Sequence, residues 1–407
     1  MRILHTSDWH LGQRLHHHDR LPEQRAALDW LLDVIERERV DCLIVAGDIF
    51  DTHSPPNAAR ELYFDFLARA HRLDGCRHLV FIGGNHDSAH HLNAPRRLLR
   101  AFDLHVHGSA NAQPEEQLIR LKNADGEVEA IVAAVPFLRD ADLRRSLPAE
   151  TEADRLQRTR LAILNHYQNL GAAVEGLDCA DIPVIATGHL YAHGSYAEKE
   201  QRNIYLSDTS NIEGHQFPPC FDYVALGHIH RPQRIGDLDH VRYSGSLIPL
   251  SFSESTDEKQ VLLLDFDGKK LTDIRPLAVP PQRRLKTIEG SLDYVKQRLE
   301  KLATDYAHQL EPWVDIFLTD PEVPPSVRTE LHDFVRDLHC SIFKIRTQRT
   351  LLGTEEVFGA ELLGDLDALD VFRRKLAADS IAPEHHAALE ASFRELSETL
   401  VGTAPEL

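Results

Sequence analysis

The chain has 407 residues, enough for two or three domains of ordinary size, and a 42% hydrophobic content supports a full globular core and excludes wholesale disorder. The formal net charge of −19 argues against a chain that grips nucleic acid by bulk electrostatics. The amino terminus has no apolar signal-like core, and no apolar run approaches the roughly 20 residues that span a bilayer, so a soluble protein without a secretory signal is expected.

Residues 2–5 read as a short strand ending in Thr6-Ser7-Asp8-Trp9-His10. A helix over 21–39 follows, with Leu28, Leu31, Leu32 and Ile35 at helical spacing. Asp41 to Ala46 is a second apolar strand, running into Gly47-Asp48-Ile49-Phe50-Asp51. A helix over about 58–72 carries Leu62, Phe66 and Leu67 on one face, and a third strand, Leu79 to Ile82, ends in Gly83-Gly84-Asn85-His86-Asp87. Strand, helix, strand, helix, strand is the signature of a right-handed parallel sheet.

From 105 to 137 the pattern shortens to extended runs, with a turn at Ala124-Asp125-Gly126 and a strand at Ala130 to Val135. Residues 154–170 predict a helix with Leu161, Leu164 and Tyr167 in register. Two more strands end in polar groups: Pro183 to Ala186 leads into Thr187-Gly188-His189, and Tyr223 to Leu226 into Gly227-His228-Ile229-His230. Residues 241–246 and 261–266 read as antiparallel strands closing this domain. Pro280 to Arg284 reads as a stiff, charged linker. Beyond it come a helix at 292–306, a strand at 313–318, a helix at 326–338 and a strand at 342–347. The last stretch, about 352–400, reads as helices only, where Leu389, Phe393, Leu396 and Leu400 form one apolar face that must dock on something.

Five scattered cysteines without CxxC spacing argue against a disulfide framework or zinc–thiolate site and suit a reducing cytoplasm, as buried thiols. Among 25 histidines, His16-His17-His18 and His90-His91 follow no strand and read as solvated loop residues. The other candidates all lie at strand ends: Asp8 and His10; Asp48; Asn85 and His86; His189; His228 and His230. Taken singly, an Asp after a strand is a helix cap and a Gly-His is a turn. Five such sets together are not coincidence, because the ends of parallel strands converge on one sheet edge. Oxygen and imidazole ligands without thiolate suit Mn²⁺, Fe²⁺ or Zn²⁺. Their number suits two ions sharing a carboxylate, with Asp48 as the natural bridge. Residues two apart in extended backbone point the same way, so Asp8 with His10, and His228 with His230, reach a common pocket.

This set, D-x-H, G-D, G-N-H-D, G-H and G-H-x-H, resembles the calcineurin-like metallophosphoesterases over about residues 1–265. Asp8-Trp-His-Leu-Gly-Gln13, Gly47-Asp-Ile-Phe-Asp51 with Ser54-Pro-Pro56, Ala225-Leu-Gly-His-Ile-His230 and His240-Val-Arg-Tyr-Ser-Gly-Ser246 are more narrowly similar to the SbcD family, nuclease subunits of bacterial SbcCD complexes. The resemblance implies an α/β, four-layer sandwich of two mixed β-sheets flanked by helices (1–279), a small β/α capping domain (283–350) and a helical partner-docking segment (351–407). Asp8, His10, Asp48 and His230 would hold one divalent ion, and Asp48, Asn85, His189 and His228 the other, with Mn²⁺ expected. His86 would orient the scissile phosphate or protonate the leaving 3′ oxygen, and Asp51 would hold that imidazole's other nitrogen. A water activated by the ions would attack in line.

The implied activity is 3′-5′ exonuclease and endonuclease cleavage of DNA, hairpins included, in replication, recombination and repair. The implied partner is an SbcC-like coiled-coil ATPase that gates the site and supplies much of the DNA grip. A homodimer through helices near 58–72 and 94–102, within a heterotetramer, is expected. Arg96, Arg97, Arg100, Arg231 and Arg242 are candidate phosphate contacts, each otherwise a plain surface charge. The competing reading is a metallophosphoesterase for a small phosphodiester or a phosphoprotein, which would not need a cap and docking helices. A non-catalytic module would lack several ligands, and this chain lacks none.

Overall fold

The computed structural model describes residues 1–16, 18–111, 113–139, 142, 151–177, 179–193, 212–320, 323–324, 326–347 and 389–390. The chain divides into two compact units, Met1–Phe317 with Pro325–Arg346, and Leu318–Pro324 with Thr347–Leu407. Of the expected C-terminal apolar face only Leu389 is described, in a helical turn; Phe393, Leu396 and Leu400 lie outside the described residues.

The first unit opens with β1 (Arg2–Thr6), β2 (Arg14–Leu15), β3 (His18–Asp19), α1 (Leu21–Glu38), β4 (Cys42–Ala46), α2 (Asn57–Ala70), β5 (His78–Ile82), α3 (Ala89–Asn93), α4 (Arg96–Arg100) and β6 (Leu104–His107). It continues with β7 (Leu118–Lys122), β8 (Val128–Ala133), α5 (Glu152–Glu175), β9 (Val184–His189), β10 (Ala192–His193), β11 (Ile212–Glu213), β12 (Tyr223–Gly227), β13 (Gln233–Ile235), β14 (Leu238–Tyr243), β15 (Gln260–Asp267) and β16 (Lys270–Ala278). One mixed sheet has the order β16-β15-β1-β4-β5-β6 and the other β13-β14-β12-β9-β8-β7. In the first, β1, β4, β5 and β6 are mutually parallel, as the alternating strand–helix pattern predicts.

The central strands β4 and β12 read as unbroken apolar runs because both of their faces are covered. In β4, Cys42, Ile44 and Ala46 face the other sheet, while Leu43 and Val45 pack among the residues of α1 and α2. The inner layer joins Ile3, Val80 and Ile82 to Ile119, Val132, Ile185 and Ala225 across the two sheets. The outer face of the second sheet packs on α5 through Ile163, Tyr167, Leu170 and Val174. The result is the expected four layers.

Several expectations need correction. In α5 Tyr167 is buried and Leu164 partly buried against the core as predicted, but Leu161 is 48% exposed, because it lies nearly opposite the 163–167–170–174 face at 100° per residue. A capping box at Thr151 and Asp154 starts that helix. β14 pairs in parallel with β12 and is antiparallel only to β13. The expected linker is already structure from Arg283, where β17 (Arg283–Gly290) begins. With α6 (Leu292–Asp305), β18 (Leu310–Leu318), α7 (Val327–Val335) and β19 (Ser341–Thr347) it forms a three-stranded sheet with two helices. His18 is not idle, since its ring lies 4.3 Å from Phe343 between centroids; His17 lies outside the described residues. His90 and His91 belong to α3.

A small apolar knot of Leu15, Leu285 and Trp313, with Phe252 and Phe343 against it, joins the β17–β19 layer to the sandwich. Arg283 tightens that knot. Its guanidinium stacks over Trp313 at 4.0 Å and pairs with buried Glu23 at 2.8 Å.

Candidate metal centre

The carboxyl ends of β1, β4, β5, β9 and β12 meet at one edge of the sandwich, so both sheets contribute to one site. The loops after β1 and β4 run side by side, with Asp8 N donating to Gly47 O at 3.0 Å and His10 N to Asp48 O at 3.0 Å. Asp8, His10, Asp48 and His228 all have positive φ, 53°, 45°, 47° and 99°. Four non-glycine residues in the left-handed region are costly to hold, and such strain collects where a site demands a particular aim. The glycines beside them permit close approach. A Cβ on Gly84 would lie 2.1 Å from Asp48 Oδ1, and one on Gly227 would lie 1.8 Å from Ala46 O.

Asp48 is central. Its Oδ2 lies 3.1 Å from His189 Nε2 and 3.6 Å from His10 Nε2, and its Oδ1 accepts His86 N–H at 2.9 Å. Asn85 Oδ1 reaches His189 Nε2 at 3.0 Å and His228 Nδ1 at 3.1 Å. Asp8 Oδ1 accepts His228 N–H at 2.9 Å, and its Oδ2 accepts from Ser7 Oγ. Asp8, His10 and His230 offer ligand atoms within 4.8 Å of one another, as do Asp48, His189 and His228. His10, Asp51 and His86 form a third such group, and the seven residues singled out from the sequence lie together at this edge.

The imidazoles are oriented from behind. His189 Nδ1 donates to Ala46 O at 2.9 Å, and His10 Nδ1 donates to Asp51 Oδ1 at 3.1 Å. Carbonyl and carboxylate oxygens only accept, so these bonds leave Nε2 as the lone-pair nitrogen facing the site. His10 Nε2 is buried and has no hydrogen-bond partner. An orphaned buried imidazole nitrogen beside a buried carboxylate is what a cation site looks like from the protein side, and the donor set fits a pair of divalent ions.

Electrostatics agree. Burial alone would raise Asp48, but His189, His10 and His86 hold it well below the usual carboxylate range. Burial would lower His189, yet Asp48 pushes it up to about 9. Asp48 thus favours positive charge at its side, either a proton on His189 Nε2 or a cation in that proton's place. Glu254 is pushed up by burial and pulled far below the carboxylate range by His230 and Lys259.

Asp51 and His86 differ from expectation in one respect. The main-chain O of Asp51, not its carboxylate, holds His86 Nδ1 at 2.8 Å, because the carboxylate is turned to His10. His86 and Asp51 line a cleft of about 740 Å³ together with His10, Asp48, Asn85, His228 and His230. Among its described lining residues there is no lysine or arginine. Arg231 pairs with Asp257 and Arg242 with Asp239 rather than facing the cleft.

Sequence reasoning missed two groups. Asp87 is buried and accepts N–H bonds from Ile49, Phe50 and Gly84, tying the β4 and β5 loops together; its place in Gly-Asn-His-Asp was the available signal. Burial and Asp48 push its carboxyl up. Glu254, on the loop before β15, accepts from His230 Nδ1 at 3.0 Å, and no motif announced it. All five cysteines are free, with Cys220 only half-buried. Among the described residues no helix is long and apolar enough to cross a membrane.

Known proteins share much of this sequence. Residues 1–232 match the calcineurin-like phosphoesterase family, and residues 281–380 match a family described as the type 5 capsule protein repressor C-terminal domain. The chain is 36% identical to the SbcD component of the SbcCD nuclease of Escherichia coli K12, over 99% of both chains. It is 39% identical to the SbcD component from Rhodobacter capsulatus over 70% of this chain and 71% of the relative, and 36% identical to that from Bacillus subtilis over 65% and 66%. By these matches the chain belongs to the calcineurin-like phosphoesterases and, within them, to the SbcD family of the SbcCD nucleases.

Proposed function

We propose that this chain is the nuclease subunit of an ATPase-gated complex, cutting DNA as a 3′-5′ exonuclease and as an endonuclease that opens hairpins and DNA ends. The observation that carries the reading is Asp48 Oδ2 set between the imidazoles of His10 and His189, at the floor of an open cleft whose described walls hold no cationic side chain. A phosphodiester entering this cleft meets positive charge only if the acidic floor is loaded with dications. Two such ions, Mn²⁺ being the expected pair, would supply the Lewis acidity that polarises the phosphate and activates water.

The protein's own part follows from its bonds. Asp8, His10, Asp48 and His230 would hold one ion, and Asp48, Asn85, His189 and His228 the other. His86 donates Nδ1–H to the Asp51 carbonyl, so its Nε2 is the nitrogen left for substrate. As an imidazolium it would deliver the Nε2 proton to the leaving 3′ oxygen and keep the same carbonyl contact. Asp51 orients two rings, His86 through its main chain and His10 through its carboxylate.

Residues 1–279 would form the nuclease domain, 283–350 the cap that guides DNA, and 351–407 the segment docking on an SbcC-like coiled-coil ATPase. Phe64, Leu98 and Phe102, all exposed on or beside α2 and α4, support a homodimer through that surface within a heterotetramer. A cytoplasmic location follows from this role.

The test is cleavage of hairpin and blunt duplex DNA with Mn²⁺ by wild type, His86→Gln and Asp48→Ala, each with and without the ATPase partner. Wild type should cut, and both variants should lose activity. His86→Gln should fall by about 10²–10⁴ in rate while still binding Mn²⁺. Intact DNA with partner and ATP, beside hydrolysis of a small phosphodiester, would overturn the nuclease assignment in favour of a small-molecule phosphoesterase.

A further inference from the structure

Glu254 and Lys259 form a 2.6 Å salt bridge withdrawn from water in the loop between β14 and β15, at 6% and 5% exposure. Taking such a pair out of water is costly, and a well-packed apolar pair serves stability as well. Each of the two side chains bonds to the same residue, His230. Glu254 Oε1 accepts from His230 Nδ1 at 3.0 Å, and Oε2 accepts from Lys259 Nζ at 2.6 Å and from Leu250 N at 3.1 Å. Lys259 Nζ also donates to His230 O at 2.9 Å. His230 is thus gripped at its ring and at its backbone by the same ion pair.

We infer that Glu254, clamped by Lys259, is a positioning residue that fixes the tautomer and aim of His230, and so sets the affinity of the metal position built from Asp8, His10 and His230. The inference rests on the metal-centre reading above. Because both carboxylate oxygens are already committed, Glu254 acts through His230 and not as a ligand. With Lys259 beside it the carboxylate is acceptor only, so Nδ1 carries the hydrogen and Nε2 keeps its lone pair for the site. A carboxylate behind an imidazole raises its basicity more than a neutral carbonyl does. His10 and His230 are both backed in this way, by Asp51 and Glu254, whereas His189 is backed by the Ala46 carbonyl. Removing Glu254 should therefore weaken one metal equivalent and spare the other.

The experiment titrates the full-length, metal-stripped protein with Mn²⁺ by calorimetry, before any DNA is added. It compares wild type, Glu254→Gln, and Glu254→Gln with Lys259→Met. The double variant leaves no lone buried charge, so it keeps the fold if the single variant loses it. Wild type should bind two equivalents, and the variants should bind one of them about ten- to a hundredfold more weakly. Long-range ¹⁵N–¹H spectra should show His230 as a single Nδ1–H tautomer in metal-stripped wild type and as a mixture in the folded variant. Excess Mn²⁺ should restore the variant's hydrolysis of bis(p-nitrophenyl) phosphate. Two unchanged equivalents and an unchanged tautomer in a folded variant would overturn the role of Glu254 alone. A wild type that binds no Mn²⁺ pair would overturn the metal-centre reading, and this inference with it.

Discussion

At the residue scale, what decides this site is direction. Asp8, His10, Asp48 and His228 sit at positive φ, so each side chain is aimed by a backbone that such residues rarely adopt. Asp51 shows how finely the roles divide. Its carbonyl holds His86 and its carboxylate holds His10. Replacing Asp51 with Ala should therefore lower Mn²⁺ affinity, by roughly tenfold, while leaving the substrate-facing ring in place. Calorimetry alongside a rate measurement at saturating Mn²⁺ separates the two effects; a variant that binds Mn²⁺ normally yet is inactive would contradict the division.

Away from the site, His5 is fully buried between Tyr223 OH and Leu226 O, and burial lowers it to about 3; His107 is likewise lowered to about 3 by burial and Arg96. Unfolded histidine takes a proton near 6.5, so from there down to about 3 the unfolded chain binds protons that the native one refuses. Stability should fall over that window by about 1.4 kcal/mol per pH unit for each such histidine. Urea unfolding between pH 7 and 5 measures it, and His5→Gln should flatten the slope. Residue types at strand ends were legible in the sequence because coordination chemistry limits them to a few. The φ values and Glu254 were not, because both depend on what the fold brings alongside.

At the element scale, the strands were legible because both faces of the sandwich strands are covered. β4, β5 and β12 are therefore short apolar runs ended by glycine, while β1 ends in Thr6-Ser7-Asp8. Helix α5 was legible as a helix but not as a face: its sequence carries leucines on two sides, and only packing selects Ile163 and Tyr167 over Leu161. The pairing of β14 with β12 was hidden for a similar reason, since parallel partners are not joined by a tight hairpin and leave no turn signal. The glycine of Gly-His-x-His is a prediction at this scale. Gly227→Ala would drive a methyl group onto the Ala46 carbonyl, forcing β12 and β4 apart. A loss of about 3 kcal/mol or more is expected in denaturant midpoint measurements, with Mn²⁺ binding lost as well.

At the scale of the whole molecule, the negative charge and the proposed DNA substrate are compatible because the charge is not uniform in purpose. Asp8 and Asp48 are buried at the candidate metal centre, where, on the proposed function, they hold cations, while buried Asp87 ties the β4 and β5 loops together. Saturating Mn²⁺ should raise the unfolding free energy by about 2.7 kcal/mol per site at roughly a hundredfold excess over Kd. A thermal melt with and without chelator reads this directly, and Asp48→Ala should abolish the difference.

The two sheets have a further relation at the site. Asp8, His10, Asp48 and Asn85 descend from one sheet, while His189, His228 and His230 descend from the other. An ion held by both sets is a reversible cross-link between segments far apart in the chain, comparable in its effect on loop entropy to a disulfide. Its removal should loosen the seam where Gly227 meets Ala46, and amide hydrogens on both sides of that seam should then exchange faster together. The metal would serve the protein as a rivet before it serves the substrate as a catalyst.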